Sequence, residues 1–305
     1  MAFVVRPTHH LIAAKICWCV GRTLQDYDQV YSIWGRTDKG IIGKFYGYVE
    51  KTLLCASNNV LRNSGLIYKM KMIIDTNFNF YSDSNGGDPD STSPTLRKYH
   101  RILWSKPLPN GNFLELRDNK NGAYLYHESE LGEYFLGSDA ITHSYKNHKR
   151  KKWLTEQIPN EVNELFDTCS NIGAYIIFPN NRIDGKHTIN QARGVNNLID
   201  DRFDLTLECI RLFYSGEKSP LYDTLLRYEN FFDLFGDFMG YIHFFFLDDL
   251  VDENNTIKFY LPFDGFKTRP TFSDVNQYLL YKKGVVGFNK SRKKRIESYI
   301  KSEGK

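Results

Sequence analysis

The longest apolar run of the chain is too short to cross a membrane. Residues 238–247 are mostly apolar but include His243, and they make up about half of the roughly 20 residues that a membrane-spanning helix needs. This run must therefore be buried against other parts of a folded core. A chain of 305 residues, with 41% hydrophobic and 25% charged residues, can build such a core without disulfides. This composition excludes a wholly disordered, collagen-like or coiled-coil chain.

Positive charge is concentrated near the N-terminus. Residues 1–71 contain ten Lys/Arg and four Asp/Glu, a net charge of +6, while the whole chain carries +4. The remaining residues therefore carry −2, which gives the main body no overall attraction for polyanions.

The cysteines do not form a recognisable metal or disulfide pattern. Their number is odd (five), and no Cys-x-x-Cys pair occurs. An acidic turn at 83–94 resembles a calcium loop, but Pro94 stands where the loop needs a glutamate. No secretory signal is evident. We therefore predict a cytoplasmic protein with reduced thiols, no metal, no cofactor and no membrane association.

A domain boundary is expected near residue 71, where Met70 and Met72 lie and the charge balance changes. Residues 1–71 are interpreted as a basic N-terminal extension. It is either an appendage or a segment upstream of a native start at Met70 or Met72. Residues 72–305 are predicted to form a single α+β domain.

The apolar patterns predict a mixed, short-stranded sheet in the first half, packed with a predominantly helical second half. Strands are expected at 113–116, 124–127, 134–136, 174–178 and 257–262. Helices are expected at 95–104, 160–169, 200–214, 221–235, 238–250 and 274–282, followed by a basic helix to about residue 300.

Several segments resemble a family of uncharacterised bacterial proteins. They include DTNFNFYSD at 75–83, SPTLR at 93–97, LWSKPLP at 103–109, FPNNRIDGK at 178–186 and DRFDLTLECIR at 201–211. The resemblance covers roughly residues 72–300. It implies a domain of unknown function and transfers no activity and no site residue.

The loop after the predicted strand at 174–178 is the first candidate site. We predict that Arg182, Lys186, Asn190 and Arg193 bind a ligand, because loops on rigid strands often bind ligands and cations suit phosphate or carboxylate. His187 and Arg193 are the catalytic candidates. A phosphate-binding P-loop is excluded, since residue 180 is Asn and residue 187 is His. The alternative is a solvated loop whose polar residues cap neighbouring elements.

A second candidate lies around Trp104. Arg97, His100 and Lys106 flank this aromatic residue, and cations interleaved with aromatics can hold a nucleic acid strand. The alternative is an ordinary amphipathic helix.

Two basic runs, at 146–152 and 290–295, would form a polyanion-binding stripe if they converged. If they lie apart, they are solvated faces.

Two functions follow from these observations. In the first, the protein binds a phosphate-bearing ligand, either a nucleic acid or a nucleotide. If it is an enzyme, the reaction is phosphodiester or phosphoryl hydrolysis, with His187 as acid/base and Arg193 as charge stabiliser. In the second, it is a non-catalytic protein–protein interaction module that docks a partner through the aromatic residues Tyr228, Phe231, Phe232 and Phe235.

Overall fold

The computed structural model describes residues 74–119, 125–142 and 151–303. The predicted N-terminal extension, including Met70, lies outside the described residues, as do Met72 and residues 146–150 of the first basic run.

A short 3₁₀ helix (Phe80–Asp83) opens the described part of the chain, and two α-helices follow it. Helix α1 (Pro89–Thr92) is one turn long, and α2 (Pro94–Trp104) confirms the helix predicted at 95–104. The Ser93 hydroxyl accepts a hydrogen bond from the Leu96 N–H and so caps α2. Pro94 takes the first helical position, where a backbone N–H is not needed.

Every described strand pairing is antiparallel. A small hairpin joins β1 (Lys106–Pro107) to β2 (Phe113–Leu114). The main sheet has the order β3-β4-β5-β6, with strands Arg117–Asp118, Leu125–Ser129, Gly132–Ala140 and Tyr175–Pro179. The α+β class is therefore confirmed, although the described strands form antiparallel sheets and not the mixed sheet expected from the sequence.

Eight further helices make up most of the second half. They are α3 (Lys152–Thr155), α4 (Pro159–Thr168), α5 (Ile189–Val195), α6 (Phe203–Tyr214), α7 (Tyr222–Leu226), α8 (Glu229–Asp233), α9 (Phe238–Phe244) and α10 (Val275–Glu303). Strand β6 lies between α4 and α5 and is buried along its whole length. This matches the buried strand predicted at 174–178.

Two predicted helices are interrupted. The helix expected at 221–235 is split into α7 and α8 at Arg227 and Tyr228. The helix expected at 238–250 ends at Phe244, and Phe246 adopts a left-handed φ of 55° that ends the regular structure. Both interruptions occur where side chains pack against other elements.

The end of the chain also differs from the prediction. No strand forms at 257–262, where Ile257 makes a single bridge to Val251. The two C-terminal helices are one helix, α10, which begins after Asp274; the Asp274 side chain accepts a hydrogen bond from the Gln277 N–H.

Aromatic side chains fill much of the core around α8 and α9. Tyr228, Phe231, Phe232 and Phe235 are at most 4% exposed. These residues therefore cannot supply the docking surface proposed for them. No helix in the described part of the chain is long and apolar enough to cross a membrane.

Candidate functional site

The cationic loop leaves the buried strand β6 through a tight turn. Asp184 and Gly185 both adopt left-handed backbone conformations, with φ of 52° and 67°. The Lys186 N–H donates to the Ile183 carbonyl at 3.0 Å and closes the turn. The turn leaves Lys186 and His187 exposed at the start of α5.

A capping box fixes the beginning of α5. The Thr188 hydroxyl accepts from the Gln191 N–H, and the Gln191 side chain accepts from the Thr188 N–H. The Gln191 Oε1 atom also lies 3.4 Å from the His187 Nδ1 atom. The cap that starts the helix therefore also orients His187.

Lys186 and His187 help to line a groove between α5 and α7. The groove has a volume of about 340 Å³, and its lining also includes Ala192, Val195, Leu221 and Thr224. Its walls therefore combine apolar side chains with cationic and imidazole groups.

Arg227 also lines the groove. Its Nη2 atom donates to the His187 carbonyl at 2.8 Å, and its Nη1 atom donates to the Asp223 carbonyl at 2.8 Å. The Nε atom is buried without a hydrogen-bond partner among the described residues. Sequence reasoning missed Arg227, because it is 40 residues from His187 and no local pattern marks it.

Arg193 lies in the core and not in the groove. It is 0% exposed and forms an ion pair with Asp139 of β5. Its Nε atom donates to the Thr206 hydroxyl at 3.1 Å, and its Nη2 atom donates to the Asp201 carbonyl at 3.1 Å. Burial raises the pKa of Asp139 to about 7, against the lowering effect of Arg193. Arg193 thus fastens α5 to the sheet, with its guanidinium fully enclosed.

Further buried ion pairs surround the connection between α5 and α6. Lys151 Nζ lies 2.8 Å from the Asp200 carboxylate, and Arg202 pairs with Asp204. Because each of these buried cations has its own carboxylate, this cluster leaves no net positive charge to attract an anion. We interpret it as structural.

The other two loop candidates do not line the groove. Arg182 is exposed and Asn190 is partly buried. Of the five predicted loop residues, Lys186 and His187 are therefore the two brought together at this groove.

His100 belongs to a buried hydrogen-bond chain. The Trp104 indole N–H, which can only donate, bonds to His100 Nδ1 at 2.8 Å. His100 Nε2 therefore carries the proton and donates to the Ser138 hydroxyl at 2.9 Å. Ser138 in turn donates to Asp90 at 2.6 Å. Burial lowers the pKa of His100 to about 3, so its ring is neutral.

This chain has the wrong polarity for a Ser-His-Asp catalytic triad. A triad histidine accepts the serine proton, whereas here His100 donates to Ser138. The Asp90 carboxyl group is buried, although the residue as a whole is partly exposed, and this burial raises its pKa well above the ordinary value. Its second oxygen accepts from the Ala140 N–H at 3.2 Å.

Lys106 is enclosed by aromatic rings. Its Nζ atom lies 3.9 Å from the Phe246 ring centroid and 4.5 Å from that of Phe244, and Trp104 and Tyr299 complete the cage. Arg97 is partly buried, and its Nε atom lacks a hydrogen-bond partner among the described residues. His100 and Lys106 are each 6% exposed or less, so the solvent-facing site predicted around Trp104 is not formed.

Three cations among the described residues of the two basic runs make internal contacts. In the first, Lys151 is buried against Asp200. In the second, Arg292 is 0% exposed and Arg295 pairs with Asp249 at 2.7 Å. Across the described residues, no group of three or more His, Cys, Asp or Glu side chains is arranged to hold a metal ion.

A family model matches residues 74–296 of the chain, and it is described as a family of unknown function (DUF6994). The match confirms the predicted resemblance to a domain of unknown function over nearly the same residues. No curated protein and no solved structure matches the chain.

Proposed function

Since the chain belongs to this family of unknown function, we propose from its geometry that the groove between α5 and α7 binds a small phosphate-bearing ligand, such as a nucleotide. The observation that carries the proposal is that Lys186, His187 and Arg227 line the same groove, with Arg227 bonded to the His187 carbonyl.

The polar side chains that line the groove favour an anion. Lys186 and Arg227 are donors without acceptor atoms, and a protonated His187 would add a third donor group. The lining contains no Asp or Glu to oppose a negative charge. Charge-assisted hydrogen bonds to phosphate are stronger than bonds between neutral groups.

The rest of the groove favours an organic ligand over a bare ion. Val195 is exposed and provides apolar contact area in the groove, while Ala192 and Leu221 contribute only the edges of largely buried side chains. The volume of about 340 Å³ falls at the lower limit of the roughly 300–1,000 Å³ usual for small-molecule sites. A phosphate bonded by Lys186 and Arg227, joined to a small organic group in the groove, fits both features.

Hydrolysis of the phosphate ester is a further part of the proposal. Because Gln191 Oε1 accepts the Thr188 N–H, the facing His187 Nδ1 is assigned as a donor and Nε2 as the atom that accepts a proton. His187 could then serve as acid/base, with Arg227 in place of the enclosed Arg193 as the charge stabiliser.

Calorimetric titration of the full chain tests ligand binding. The probes are inorganic phosphate, a nucleoside monophosphate and benzoate, which separate phosphate from carboxylate recognition. The nucleoside monophosphate should bind most tightly. Lys186→Gln should weaken its binding at least about tenfold, because a charged hydrogen bond contributes roughly 1.5–3 kcal/mol.

Lys98→Gln is the matched control, since Lys98 is exposed on α2 and its loss changes the net charge equally. Equal affinity of the two variants, or absence of binding by all three probes, would contradict the proposal. Nitrophenyl phosphate mono- and diesters test hydrolysis separately. His187→Gln should abolish their turnover while the nucleotide still binds.

We propose a bacterial cytoplasm as the setting. Both cysteines of the described residues, Cys169 and Cys209, are buried and unpaired, as is common where thiols stay reduced.

A further inference from the structure

Helix α10 carries a straight row of exposed lysines. The row consists of Lys283, Lys290, Lys294 and Lys301, which are all exposed. Buried residues of the same helix face the core. At about 100° per residue, the four side chains fall within roughly 40° of arc. At 1.5 Å per residue, the row is about 27 Å long.

The other cations of α10 are already engaged. Lys282 lies 2.5 Å from both Glu161 and Glu164. Arg292 is buried and donates to backbone carbonyls, and Arg295 pairs with Asp249. The structure therefore separates the basic residues of this helix into a packed set and a solvent-facing row.

Acidic residues near the row are few and already bonded. Glu297 accepts a hydrogen bond from the Thr76 hydroxyl at 2.6 Å. Glu164 pairs with Lys282 and also interacts electrostatically with Lys290, one of the four lysines of the row. The row is thus a local concentration of positive charge on a body whose overall charge is close to zero.

We propose that the lysine row of α10 docks the phosphate backbone of a nucleic acid duplex. A straight line of about 27 Å corresponds to roughly eight base-pair steps of 3.4 Å. Lysine ammonium groups act as point charges for phosphate and do not read base edges. The surface therefore suits binding that is independent of base sequence.

A membrane surface fits the row less well. An interfacial helix buries a broad apolar face beside its cations, whereas the apolar residues of α10 face the protein core and Leu280 alone is a strongly exposed large hydrophobic residue among the described part of this helix. The sequence also carries a second basic excess at 1–71, in keeping with a polyanionic partner.

Salt-dependent fluorescence anisotropy of the full chain with a labelled 20-base-pair duplex tests the proposal. For a duplex, each phosphate contact contributes about 0.9 to the slope of log K against log salt. Replacing the four lysines by glutamine should therefore reduce the magnitude of the slope by about 3.6. Circular dichroism verifies that the variant is folded.

The control replaces Lys98, Lys218, Lys258 and Lys267 by glutamine. These residues are exposed outside α10, so the change in net charge is the same. The slope of this control should remain close to that of the wild type. An equal reduction in both variants, an unchanged slope in the α10 variant, or no duplex binding by the wild type would overturn the proposal.

Two further probes test other partners of the lysine row: vesicles that contain phosphatidylserine, and a separate polyglutamate peptide. Loss of vesicle or peptide binding in the α10 variant, without any effect on the duplex, would also overturn it. The groove is tested independently, because Lys186→Gln should leave duplex binding unchanged.

Discussion

Substitution of Gly240 by alanine has two opposite effects on stability: it raises helix propensity, and it creates a clash with the backbone. Gly240 lies in the first turn of α9, where its N–H donates to the Asp237 side chain at 2.7 Å. A Cβ atom added there would lie 2.0 Å from the Phe235 carbonyl oxygen and 3.2 Å from Pro109 Cγ. The first contact is with backbone, which cannot rotate away as a flexible side chain could.

The expected magnitude follows from two opposing effects. Alanine should stabilise a helix by about 1 kcal/mol relative to glycine. Overpacking costs about 1–3 kcal/mol, and a clash with backbone belongs at the upper end of that range. The net result should be a loss of about 2 kcal/mol in the free energy of unfolding, or roughly 4–8 °C in Tm for a domain of this size.

Gly287→Ala is the matched control for this substitution. Gly287 lies within α10, and a Cβ atom there would meet nothing within 4 Å. This variant should gain about 1 kcal/mol from helix propensity alone. Urea unfolding and thermal melting of both variants measure the difference. A Gly240→Ala protein as stable as the wild type would refute the packing argument.

Two further substitutions test the buried charges. Burial raises the pKa of Asp139 above its ordinary value of 3.8, so the folded state binds a proton more tightly and stability should fall as the pH rises above about 4. Asp139→Asn should therefore show a smaller loss of unfolding free energy between about pH 5 and pH 8 than the wild type, and an unchanged profile would contradict this assignment. Lys106→Met should lower stability by about 1–3 kcal/mol through loss of the aromatic cage contacts and of the bond to the Phe244 carbonyl. The variant should bind the nucleotide with the same affinity as the wild type in calorimetric titration. Weaker nucleotide binding with an intact fold would show that Lys106 reaches the ligand.

The sequence correctly predicted the elements whose ends are set by neighbouring residues. Ser93 and Pro94 fix the start of α2 by capping and by proline geometry, and both can be read from adjacent residues. The apolar run of β6 ends at Pro179, as the sequence indicated. Such features need no knowledge of distant residues.

Elements that depend on tertiary contacts were not predictable in the same way. The helix expected at 221–235 breaks where Arg227 donates to the His187 carbonyl and Tyr228 donates to the Asn181 carbonyl. These bonds to a distant loop outweigh the helical pattern of the segment. The expected strand at 257–262 likewise loses the Tyr260 N–H to the Asp204 carboxylate.

The residues of the candidate site also differ in whether local sequence or tertiary contacts determine their positions. Lys186 and His187 were identifiable because they follow a buried strand in a short cationic loop. The structural role of Arg193 could not be identified from the sequence, because it depends on Asp139, which lies 54 positions earlier in the chain. Sequence proximity placed Arg193 with the loop, whereas the buried carboxylate of β5 holds it in the core.

The Asp90 carboxyl group has a consequence for self-association. Strand β5 continues to Ala140, whereas its described pairing with β4 reaches only Leu136. Exposed strand edges recruit strands from other chains and so promote aggregation. By accepting the Ala140 N–H, Asp90 occupies part of this edge with a side chain from α1. A single carboxyl group thus bonds a strand N–H that an added strand from another chain would need.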